Sequence, residues 1–479
     1  MNNIAHDKQI DFSSATLIVG MGSTGLSCAR YLQARSCPFA FADSRNTPPS
    51  LAEVKKQFTP LEILTGDFEF ATFAQYKQII VSPGVSIRSK LFVSLAEKGC
   101  NIMGDIEVFA QVVKKPVIAI TGSNGKSTVT TLVEKIAQDC GIKTIAGGNL
   151  GIPVLDLLSS DSDLYILELS SFQLETTDSL ETVSATVLNV SEDHMDRYKS
   201  LDDYRQVKES IYHNTQNAIV NSDEKITCQR VIRALDEKQE NYAIITFGEQ
   251  ALSDYTGIKT SYFLQADRTL MNAGNEIMSA TEIKIKGTYN YLNILAALAL
   301  LEPLALDQVQ QVKAIKTYKG LAHRCEWIAS VNDVEFYNDS KGTNTGSTIA
   351  AINAFSLATE NNHSQKTVIL IAGGEGKDAD FTGLGISIEE KIKATVLMGV
   401  DAELIKISAL NAGAKNDSIY AVETMSEAVS TAVKLADSGD VVLFSPACAS
   451  FDMYKNYMQR GDDFKEKVLA LKKELRNAS

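Results

Sequence analysis

The sequence predicts an α/β fold of three domains, each built on a sheet of parallel strands. The chain has 479 residues, and at about 150 residues per domain this length corresponds to roughly three domains. Short apolar runs rich in β-branched residues recur along the chain, and a helical pattern follows each run, which is typical of parallel strands joined by crossover helices. These runs are TLIVG (16–20), FAFAD (39–43), QIIVS (78–82), PVIAI (116–120), LYILEL (164–169), ATVLNV (185–190), TVILIAGG (367–374), ATVLMGV (394–400) and DVVLFS (440–445).

Two predicted domain boundaries divide these strands into groups. The first lies near residues 98–116, where a helix ends in KKP before a new strand, and the second lies near residues 316–327. The predicted domains therefore span residues 1–104, 105–319 and 320–479, and these lengths suit single domains.

Composition and charge exclude several classes of protein. Hydrophobic residues make up 44% of the chain and charged residues 22%, which predicts a packed core. The net charge of −13 argues against a nucleic-acid coat or a membrane-surface protein, because either would need a basic face. The seven cysteines are scattered without a C-x-x-C pair, so neither a disulfide framework nor a zinc site is indicated. Without an apolar leader or a run long enough to span a bilayer, we expect a cytoplasmic monomer.

The motif GMGSTG (20–25) stands between the strand TLIVG and the helical pattern LSCARYLQ. Its glycines permit a tight turn and let backbone N–H groups approach a diphosphate at the start of a helix. Asp43 ends the next strand, where a ribose-binding acid would lie. The motif predicts a Rossmann-like N-terminal domain that binds a nucleotide diphosphate, and a purely structural glycine turn is the alternative.

The motif TGSNGKST (121–128) follows the strand PVIAI and opens a helix. It is a shortened phosphate loop, because Ile120 stands where the first glycine of a Walker A motif would be. Backbone amides can still wrap phosphates, Lys126 can neutralise the outer ones, and the hydroxyl of Ser127 can ligate Mg²⁺. We predict a central P-loop-type domain that binds ATP. With two nucleotide sites in one chain, one nucleotide would be the energy source. The other would be a part of the substrate through which the enzyme binds it.

Two acidic segments follow the phosphate loop. Glu168 ends a strand in LELSSFQLE (167–175), an expected place for a Mg²⁺ ligand, although a surface glutamate there is also common. His194 lies in an acidic cluster with Asp193 and Asp196.

A helix begins next, with a capping box at SLDD (200–203). Tyr204, Val207 and Ile211 follow the i, i+3, i+7 spacing of a buried face, and Lys208 falls at its edge. From this pattern alone, Lys208 is an ordinary solvated lysine.

The remaining polar motifs lie further along the chain. Asn290 and Asn293, one helical turn apart, could contact an adenine edge or cap the helix, and the sequence favours caps. Four loops near predicted strand ends carry cations that an acidic protein can use to hold anions. The loops are AHRCEW (322–327), NDSKGTNTGST (338–348), GGEGKDADF (373–381) and SPACASFDMYKNY (445–457), and their cations include His323, Arg324, Lys341 and Lys377.

Taken together, these motifs resemble the Mur ligases, the three-domain amino-acid ligases of peptidoglycan precursor synthesis. TGSNGKST, ELSSFQLE, EDHMDRY, HRCE, NDSKGTN, GGEGKDADF and SPACASFD occur in that family's order along the whole chain. ELSSFQLE and SPACASFD point to the branch that adds D-glutamate. The D-N-P-R stretch of a branch that adds a diamino acid is absent from the sequence.

The resemblance implies an ATP-dependent acid–D-amino-acid ligase. Its substrates would be UDP-N-acetylmuramoyl-L-alanine and D-glutamate, joined through an acyl phosphate with release of ADP and phosphate. It also implies a Rossmann-like C-terminal domain for the amino acid, two Mg²⁺ ions, a carbamylated lysine, and a role in cell-wall synthesis, cell shape and cell division.

The resemblance assigns roles residue by residue. The sugar nucleotide would contact Ser23, Thr24, Asp43, Arg45 and Ser82. ATP would contact Gly122, Ser123, Asn124, Gly125, Lys126, Ser127, Thr128, Asn149, Asn290, Asn293, Arg324, Asp339 and Lys341. Mg²⁺ would be held by Ser127, Glu168, His194 and carbamylated Lys208. D-Glutamate would contact Thr343, Lys377, Ser450, Phe451 and Tyr457. The catalytic residues would be Lys126, His194 and Lys208, with His194 a candidate base. One departure is Tyr289, where the family usually has histidine.

Three alternatives explain parts of the sequence. An NAD-dependent oxidoreductase accounts for GMGSTG but leaves TGSNGKST without a role. A P-loop regulatory ATPase accounts for TGSNGKST but not for the C-terminal loops. A folate-polyglutamate ligase shares the shortened phosphate loop but does not account for GMGSTG or SPACASFD.

Overall fold

The structure, a computed structural model, contains three sheets of five, nine and six strands in chain order. The chain forms two compact units, the first made of Met1–Met278 with Leu292–Ala314 and the second of Ser279–Tyr291 with Ile315–Ser479. The residues that the structure describes are 9–191, 194–195, 197–238, 243–252, 257–358, 366–376 and 379–478.

The five-stranded sheet of the first unit is parallel throughout, with strand order β3-β2-β1-β4-β5. Its strands are β1 (Thr16–Val19), β2 (Phe39–Asp43), β3 (Ile63–Thr65), β4 (Gln78–Val81) and β5 (Asn101–Gly104). Its helices are α1 (Ser23–Gln33), α2 (Leu51–Gln57), α3 (Phe70–Phe73) and α4 (Lys90–Glu97). The strand order reverses direction between β1 and β4, and such a switch point opens a crevice at the carboxyl ends of the strands.

The nine-stranded sheet has the order β14-β13-β12-β11-β10-β9-β6-β8-β7. Its strands are β6 (Val117–Thr121), β7 (Thr144–Gly148), β8 (Leu164–Glu168), β9 (Ser184–Val187), β10 (Asn217–Asn221), β11 (Ala243–Gly248), β12 (Ile258–Leu264), β13 (Thr269–Asn272) and β14 (Asn275–Ser279). The helices along this stretch are α5 (Asp105–Ala110), α6 (Lys126–Asp139), α7 (Val154–Leu157), α8 (Ser171–Leu174), α9 (Leu201–Glu209), α10 (Lys225–Lys238), α11 (Thr288–Leu301) and α12 (Gln308–Thr317). Short 3₁₀ helices cover Ser210–Tyr212, Ala280–Glu282 and Glu302–Leu304.

The six-stranded sheet of the second unit has the order β15-β16-β20-β17-β18-β19. Its strands are β15 (Glu326–Val331), β16 (Val334–Asn338), β17 (Val368–Ala372), β18 (Ile392–Leu397), β19 (Ile419–Ala421) and β20 (Val441–Phe444). Its helices are α13 (Thr345–Ala358), α14 (Thr382–Lys391), α15 (Ala402–Asn411), α16 (Met425–Leu435) and α17 (Tyr457–Ala478), with a 3₁₀ helix at Asn416–Ser418.

Every strand predicted from an apolar run is present, which confirms the α/β fold. Strands such as β1, β6 and β20 are buried along their whole length, as expected for parallel sheets covered by helices on both faces. The prediction of parallel strands alone was wrong at two edges, where β12 pairs antiparallel with β13 and β15 with β16. The β15–β16 hairpin turns through Asn332 and Asp333, which both have positive φ, the backbone that a two-residue hairpin requires.

No helix among the described residues is both long enough and apolar enough to cross a membrane.

A buried carboxylate lies at the start of α5. Asp105 is only 3% exposed, and its Oδ1 atom has no hydrogen-bond partner among the described residues. Burial raises the pKa of this carboxyl to about 6, although the backbone N–H groups of Asp105 and Ile106 act in the opposite direction. An aspartate in an unfolded chain titrates near about 3.9. The folded protein therefore binds more protons between about pH 4 and pH 6, and its stability falls as pH rises through this window.

We expect Asp105→Asn to raise the melting temperature above about pH 6 and to change it little near pH 4. The two-unit pKa difference corresponds to roughly 1–3 kcal/mol of stability at neutral pH. Thermal unfolding of wild type and variant across this pH range measures the effect. Asp163→Asn is the control, because that carboxylate is 58% exposed. If wild type and Asp105→Asn showed the same pH dependence, the buried carboxylate would not be its source.

Candidate functional site

The loop between β1 and α1 leaves room for close approach of a ligand. Gly20 has a φ of +103°, and a Cβ added at Gly25 would lie 2.0 Å from the carbonyl oxygen of Gly20, so a side chain does not fit there. Ser23 is the first residue of α1 and is exposed, while Thr24 is half-buried. Ser82 follows β4 across the switch point, and its buried Oγ has no hydrogen-bond partner among the described residues.

Asp43 fastens this loop to the end of β2. Its carboxylate accepts hydrogen bonds from the N–H of Met21 at 2.9 Å and from the Nε and Nη2 of Arg45 at 2.8 and 2.7 Å. These bonds, chiefly those from Arg45, hold the pKa of Asp43 down to about 2. Asp43 is buried, whereas the side chain of Arg45 is 53% exposed. Arg45 thus presents the accessible polar surface of this pair.

Residues 121–128 form a phosphate loop between β6 and α6. Gly125 has a φ of +84°, and a Cβ there would lie 2.6 Å from Oδ1 of Asn293. Lys126 begins α6, and its Nζ donates to the carbonyl oxygens of Gly122 at 2.8 Å and Ser123 at 2.9 Å. The Lys126 side chain therefore turns back toward the loop, and its ammonium group binds two of the loop's carbonyl oxygens.

The chain after β9 holds the phosphate loop from the side. The N–H of Asn124 donates to Oδ1 of Asn189 at 2.8 Å, and Oγ of Ser123 donates to the carbonyl oxygen of Ser191 at 3.1 Å. Ser127 and Thr128, the next polar residues, are half-buried in the first turn of α6.

Glu168 ends β8, the strand beside β6, and pairs in register with Ile120. It is 2% exposed, its Oε1 accepts from Nδ2 of Asn149 at 2.6 Å, and its buried Oε2 has no hydrogen-bond partner among the described residues. A buried carboxylate oxygen without a donor beside a phosphate loop fits a bound cation. The described residues contain no group of three His, Cys, Asp or Glu that could hold a metal ion, so a Mg²⁺ here would take further ligands from phosphates and water, as Mg²⁺ commonly does.

Lys208 of α9 is 1% exposed and lies against the phosphate loop. Its Nζ donates to the carbonyl oxygen of Gly122 at 2.9 Å, lies 3.5 Å from Oγ1 of Thr121, and stands 4.5 Å from the ring centroid of Tyr204. The interpretation of Lys208 as a solvated lysine was therefore wrong, because the loop supplies an acceptor for its ammonium group. Two lysines, 126 and 208, donate to the same carbonyl oxygen.

His194 lies in the turn before α9 and is exposed, with a φ of +55°. Its ring centroid is 4.7 Å from that of Phe172, and its carbonyl oxygen accepts from the N–H of Arg197 at 2.9 Å. The acidic residues predicted beside it, Asp193 and Asp196, lie outside the described residues. One of the two hydrogen bonds of the predicted capping box of α9 is present, because the N–H of Asp203 donates to Oγ of Ser200. In place of the second bond, the Asp203 carboxylate accepts from the N–H of Lys199.

A cluster of ion pairs around Glu175, which sequence reasoning did not find, lies next to the turn of His194. Arg197 donates through Nε and Nη2 to Oε2 of Glu175 and through Nη1 to the carbonyl oxygen of Pro83 at 3.1 Å. Arg88 donates to Oε1 of Glu175 at 2.7 Å and to both carboxylate oxygens of Asp203. The cluster connects the loop after β4 to α9. Arg197 and Glu175 belong to the motifs EDHMDRY and ELSSFQLE, whereas Arg88 belongs to none, and its partner Glu175 lies 87 residues away.

The two asparagines of α11 have different surroundings. Asn290, the third residue of the helix, donates through Nδ2 to the carbonyl oxygen of Lys286 at 2.8 Å. Asn293 lies beyond the first turn and faces Gly125. The interpretation as a helix cap was therefore wrong for Asn293. Tyr289, in the usual histidine position, is 47% exposed.

In the second unit, Asp339 links the ends of two neighbouring strands. It follows β16, and its N–H donates to the carbonyl oxygen of Phe444 in β20 at 2.7 Å. Its Oδ2 accepts from Oγ of Ser445 at 2.7 Å and its Oδ1 from the N–H of Cys325 at 3.2 Å. Burial raises the pKa of Asp339 to about 6.

Arg324 is exposed between two residues of positive φ, His323 at +64° and Cys325 at +45°. A backbone conformation with positive φ is uncommon for residues other than glycine and often marks a functional loop. The N–H of Lys341 donates to the carbonyl oxygen of His323 at 3.0 Å, and its Nζ is 5.8 Å from the ring centroid of Tyr457.

The residues predicted for D-glutamate differ in exposure. Thr343 is exposed, Phe451 is 62% exposed, Tyr457 is half-buried, and Ser450 is 2% exposed. Lys377 lies outside the described residues.

Arg460 of α17 was also missed by sequence reasoning. It is 2% exposed and donates to four oxygens of two loops, namely Oγ and O of Ser340, O of Cys448 and O of Ala449, at 3.0–3.2 Å. Burial lowers its pKa to about 10. It fixes the loop of Asp339 against the loop of Ser450, and its place in a charged helix gives no local signal of this role.

Three family models match the chain in succession. The Mur ligase MurD-like N-terminal domain matches residues 14–104, the Mur ligase middle domain matches residues 120–301, and the Mur ligase glutamate ligase domain matches residues 323–448.

Similar proteins extend over nearly the full length. A UDP-N-acetylmuramoylalanine–D-glutamate ligase from Nitrosococcus oceani is 44% identical over 96% of this chain and 97% of its own. Another of the same name, from Coxiella burnetii, is 41% identical over 96% and 99%. Among solved structures, MurF from Acinetobacter baumannii is 18% identical with a TM-score of 0.54 over 94% of this chain and 93% of its own. The UDP-N-acetylmuramate–alanine ligase of Thermotoga maritima is 17% identical with a TM-score of 0.52 over 95% and 99%. These two structures show the fold alone.

The glycine-rich loop before α6 and the buried carboxylate beside it are typical of nucleotide-dependent α/β enzymes. The chain belongs to the Mur ligase family, the ATP-dependent enzymes that form amide bonds. The predicted family and its three-domain architecture are therefore confirmed, while the exact domain bounds stay predictions.

Proposed function

We propose that the protein joins D-glutamate to the alanyl carboxylate of UDP-N-acetylmuramoyl-L-alanine, using ATP and releasing ADP and phosphate. The proposal is supported by full-length relatives that carry this name. The observation that carries its chemistry is the buried Oε2 of Glu168 beside the phosphate loop, which has no hydrogen-bond partner among the described residues. The reaction would take place in the cytoplasm, where ATP is available, and would supply the cell wall on which cell shape and division depend.

Activation by ATP is needed because a carboxylate and an amine do not condense in water. Transfer of the γ-phosphoryl group to the alanyl carboxylate gives an acyl phosphate, the amine of D-glutamate attacks its carbonyl carbon, and phosphate leaves. The protein's task in such a transfer is positioning and charge stabilisation. Lys126, now on the carbonyls of Gly122 and Ser123, would move to the nucleotide phosphates.

Two Mg²⁺ ions fit this proposal. Ser127 and Glu168 would hold one ion, and His194 with carbamylated Lys208 would hold the other. Bound Mg²⁺ offsets negative charge on the transferring phosphoryl group. The ammonium group of Lys208, which donates to the carbonyl of Gly122, would first lose a proton. Addition of CO₂ to the neutral amine would then form an N–C bond and release a second proton, so that the cation becomes an anion.

His194 is proposed as a metal ligand and is also a candidate base for the amine proton. The roles exclude each other in one step, because an imidazole that ligates through one nitrogen carries its proton on the other.

The other contacts predicted from the resemblance remain proposals, as do the domain bounds 1–104, 105–319 and 320–479. Those for the sugar nucleotide are Ser23, Thr24, Asp43, Arg45 and Ser82. Those for D-glutamate are Thr343, Lys377, Ser450, Phe451 and Tyr457. Those for ATP outside the phosphate loop are Asn149, Asn290, Asn293, Arg324, Asp339 and Lys341.

We expect phosphate release from ATP only when the sugar nucleotide and D-glutamate are both present, and little release with L-glutamate. Lys126→Ala should lower turnover by about 10²- to 10³-fold, because a preorganised charge on the phosphoryl group is lost. Lys135→Ala is the control, since Lys135 lies on the same helix but pairs with Asp139 at the surface. Release without either substrate would indicate a regulatory ATPase instead, and turnover with a folate and L-glutamate would indicate the folate-type ligase.

A further inference from the structure

The only tryptophan of the chain lies beside a group of lysines in the second unit. Trp327 is half-buried in β15, with Nζ of Lys284 4.1 Å and Nζ of Lys319 5.5 Å from its ring. A cavity of about 440 Å³ opens beside the ring, lined by Lys319, Lys472, Lys473 and Leu469 among others. We refer to Lys284, Lys319, Lys472 and Lys473 as the lysine cluster.

Within the part of the chain that the structure describes, no ion pair neutralises the positive charge of the lysine cluster. Lys465, on the same helix as Lys472, pairs with Glu326 at 2.7 Å. None of the four ammonium groups in the cluster has an ion-pair partner within the described part of the chain. Glu335 accepts a hydrogen bond from the indole N–H of Trp327 and also acts on Lys284, but one carboxylate cannot balance four lysines. In a chain with a net charge of −13, this concentration of positive charge is unusual.

Lys319 and Lys472 lie close enough to Lys284 for their positive charges to act on it. The pKa of Lys284 is lowered, first by burial and then by the charges of Lys319 and Lys472, while Glu335 raises it. Lysines that only covered the indole ring would be free to separate into water. Two features restrict such separation. Lys284 is half-buried, and the backbone N–H of Trp327 donates to the carbonyl oxygen of Lys319 at 2.9 Å, which fixes the backbone of Lys319 beside the ring.

An anion in the cavity would relieve this repulsion. Ammonium groups bind oxyanions through short, charge-assisted hydrogen bonds, and several lysines around one cavity favour an anion with more than one negative charge. We propose that the lysine cluster binds an oxyanion of the phosphate class in the cavity beside Trp327. The ligand is either a free phosphate or pyrophosphate or the diphosphate of a nucleotide. It would connect the segments 279–291 and 315–320, through which the chain enters this unit, to α17.

Trp327 makes the site directly measurable, because the intrinsic tryptophan emission of the whole protein comes from this position. The full-length protein is titrated with phosphate, pyrophosphate and UDP, and with sodium chloride at matched ionic strength. We expect a saturable change in emission, with tighter binding of pyrophosphate than of phosphate and weaker binding at higher salt.

The variant Lys319→Gln/Lys472→Gln keeps the tryptophan and removes two of the cations. Its dissociation constant for pyrophosphate should be higher by about tenfold or more, since two charge-assisted contacts are lost. The matched control is Lys415→Gln/Lys434→Gln, which changes the net charge equally at two exposed lysines of the same unit. Circular dichroism and melting temperature without ligand check that both variants are folded.

The outcomes separate the sources of the ligand. A response to UDP that the Lys319→Gln/Lys472→Gln variant loses identifies a nucleotide diphosphate, and a response to phosphate and pyrophosphate alone identifies a free oxyanion. The proposal would be overturned if the tryptophan emission changed with ionic strength alone. It would also be overturned if the saturable change persisted in the Lys319→Gln/Lys472→Gln variant.

Discussion

Replacing Lys208 with methionine is expected to reduce ligase turnover by about 10²- to 10³-fold or more while leaving the fold intact. Methionine keeps the length of the side chain and its contact with Tyr204, but it cannot carry a charge or form a carbamate. The carbonyl oxygen of Gly122 keeps its hydrogen bond from Lys126. Because a buried ammonium loses its hydration, replacement by an apolar side chain of similar volume is often neutral or stabilising. Phosphate release and melting temperature, measured on the same preparation, separate the two effects.

Lys199→Met is the control for this variant, since Lys199 is an exposed lysine just before the same helix. Carbon-13 NMR with labelled bicarbonate should show a carbamate resonance in the wild type that Lys208→Met lacks. Turnover near the wild-type value in Lys208→Met would reduce the residue to a structural role. Lost turnover without any carbamate resonance in the wild type would assign the function to the ammonium group itself.

Arg197→Gln is expected to lower the free energy of unfolding by about 2 kcal/mol or more, since it removes one partner of a buried ion pair. The side chain of Glu175 is 3% exposed and would keep only Arg88 as a charged partner. Turnover should fall as well, because Arg197 packs at 4.0 Å on the ring of Phe172, which in turn contacts His194.

The matched control for Arg197 is Arg230→Gln. Arg230 pairs with Asp202 at 2.7 Å and, at a longer 3.7 Å, with Glu209, but its own side chain is 40% exposed, and exposed ion pairs contribute about 0–1 kcal/mol. Urea unfolding of both variants measures the difference. Equal losses in the two variants would mean that burial of the Glu175 cluster does not add to stability.

The strands and the glycine-rich loops before α1 and α6 could be predicted because their signals are local. A buried parallel strand needs a continuous apolar run, and a loop that approaches phosphate needs glycine where a side chain would collide, as at Gly25 and Gly125. The antiparallel strands escaped prediction because β12 is half-buried along most of its length, with Lys259 exposed and only Tyr262 buried, so its sequence IKTSYFL contains no continuous apolar run.

The residues that organise the site could not be predicted for a different reason. The burial of Lys208 depends on an acceptor 86 positions earlier in the chain, which helical periodicity cannot reveal. Arg88 likewise contacts Glu175, 87 residues away, and Arg460 joins Ser340, 120 residues away, to the nearby carbonyl oxygens of Cys448 and Ala449. Helical or strand patterning indicates which face of an element is apolar, but it does not indicate which polar group will meet a given cation.

The antiparallel strands at one end of the nine-stranded sheet bear on how the protein avoids aggregation. β11, with the sequence AIITFG, is almost entirely buried, and without β12 its backbone N–H and C=O groups would form an open, apolar edge. Such an edge is a template on which another chain can add a strand. The sheet instead ends on β14, which is five residues long and exposes Asn275 and Glu276. A short polar edge recruits neighbouring chains poorly, so this extension limits strand addition at this end of the sheet.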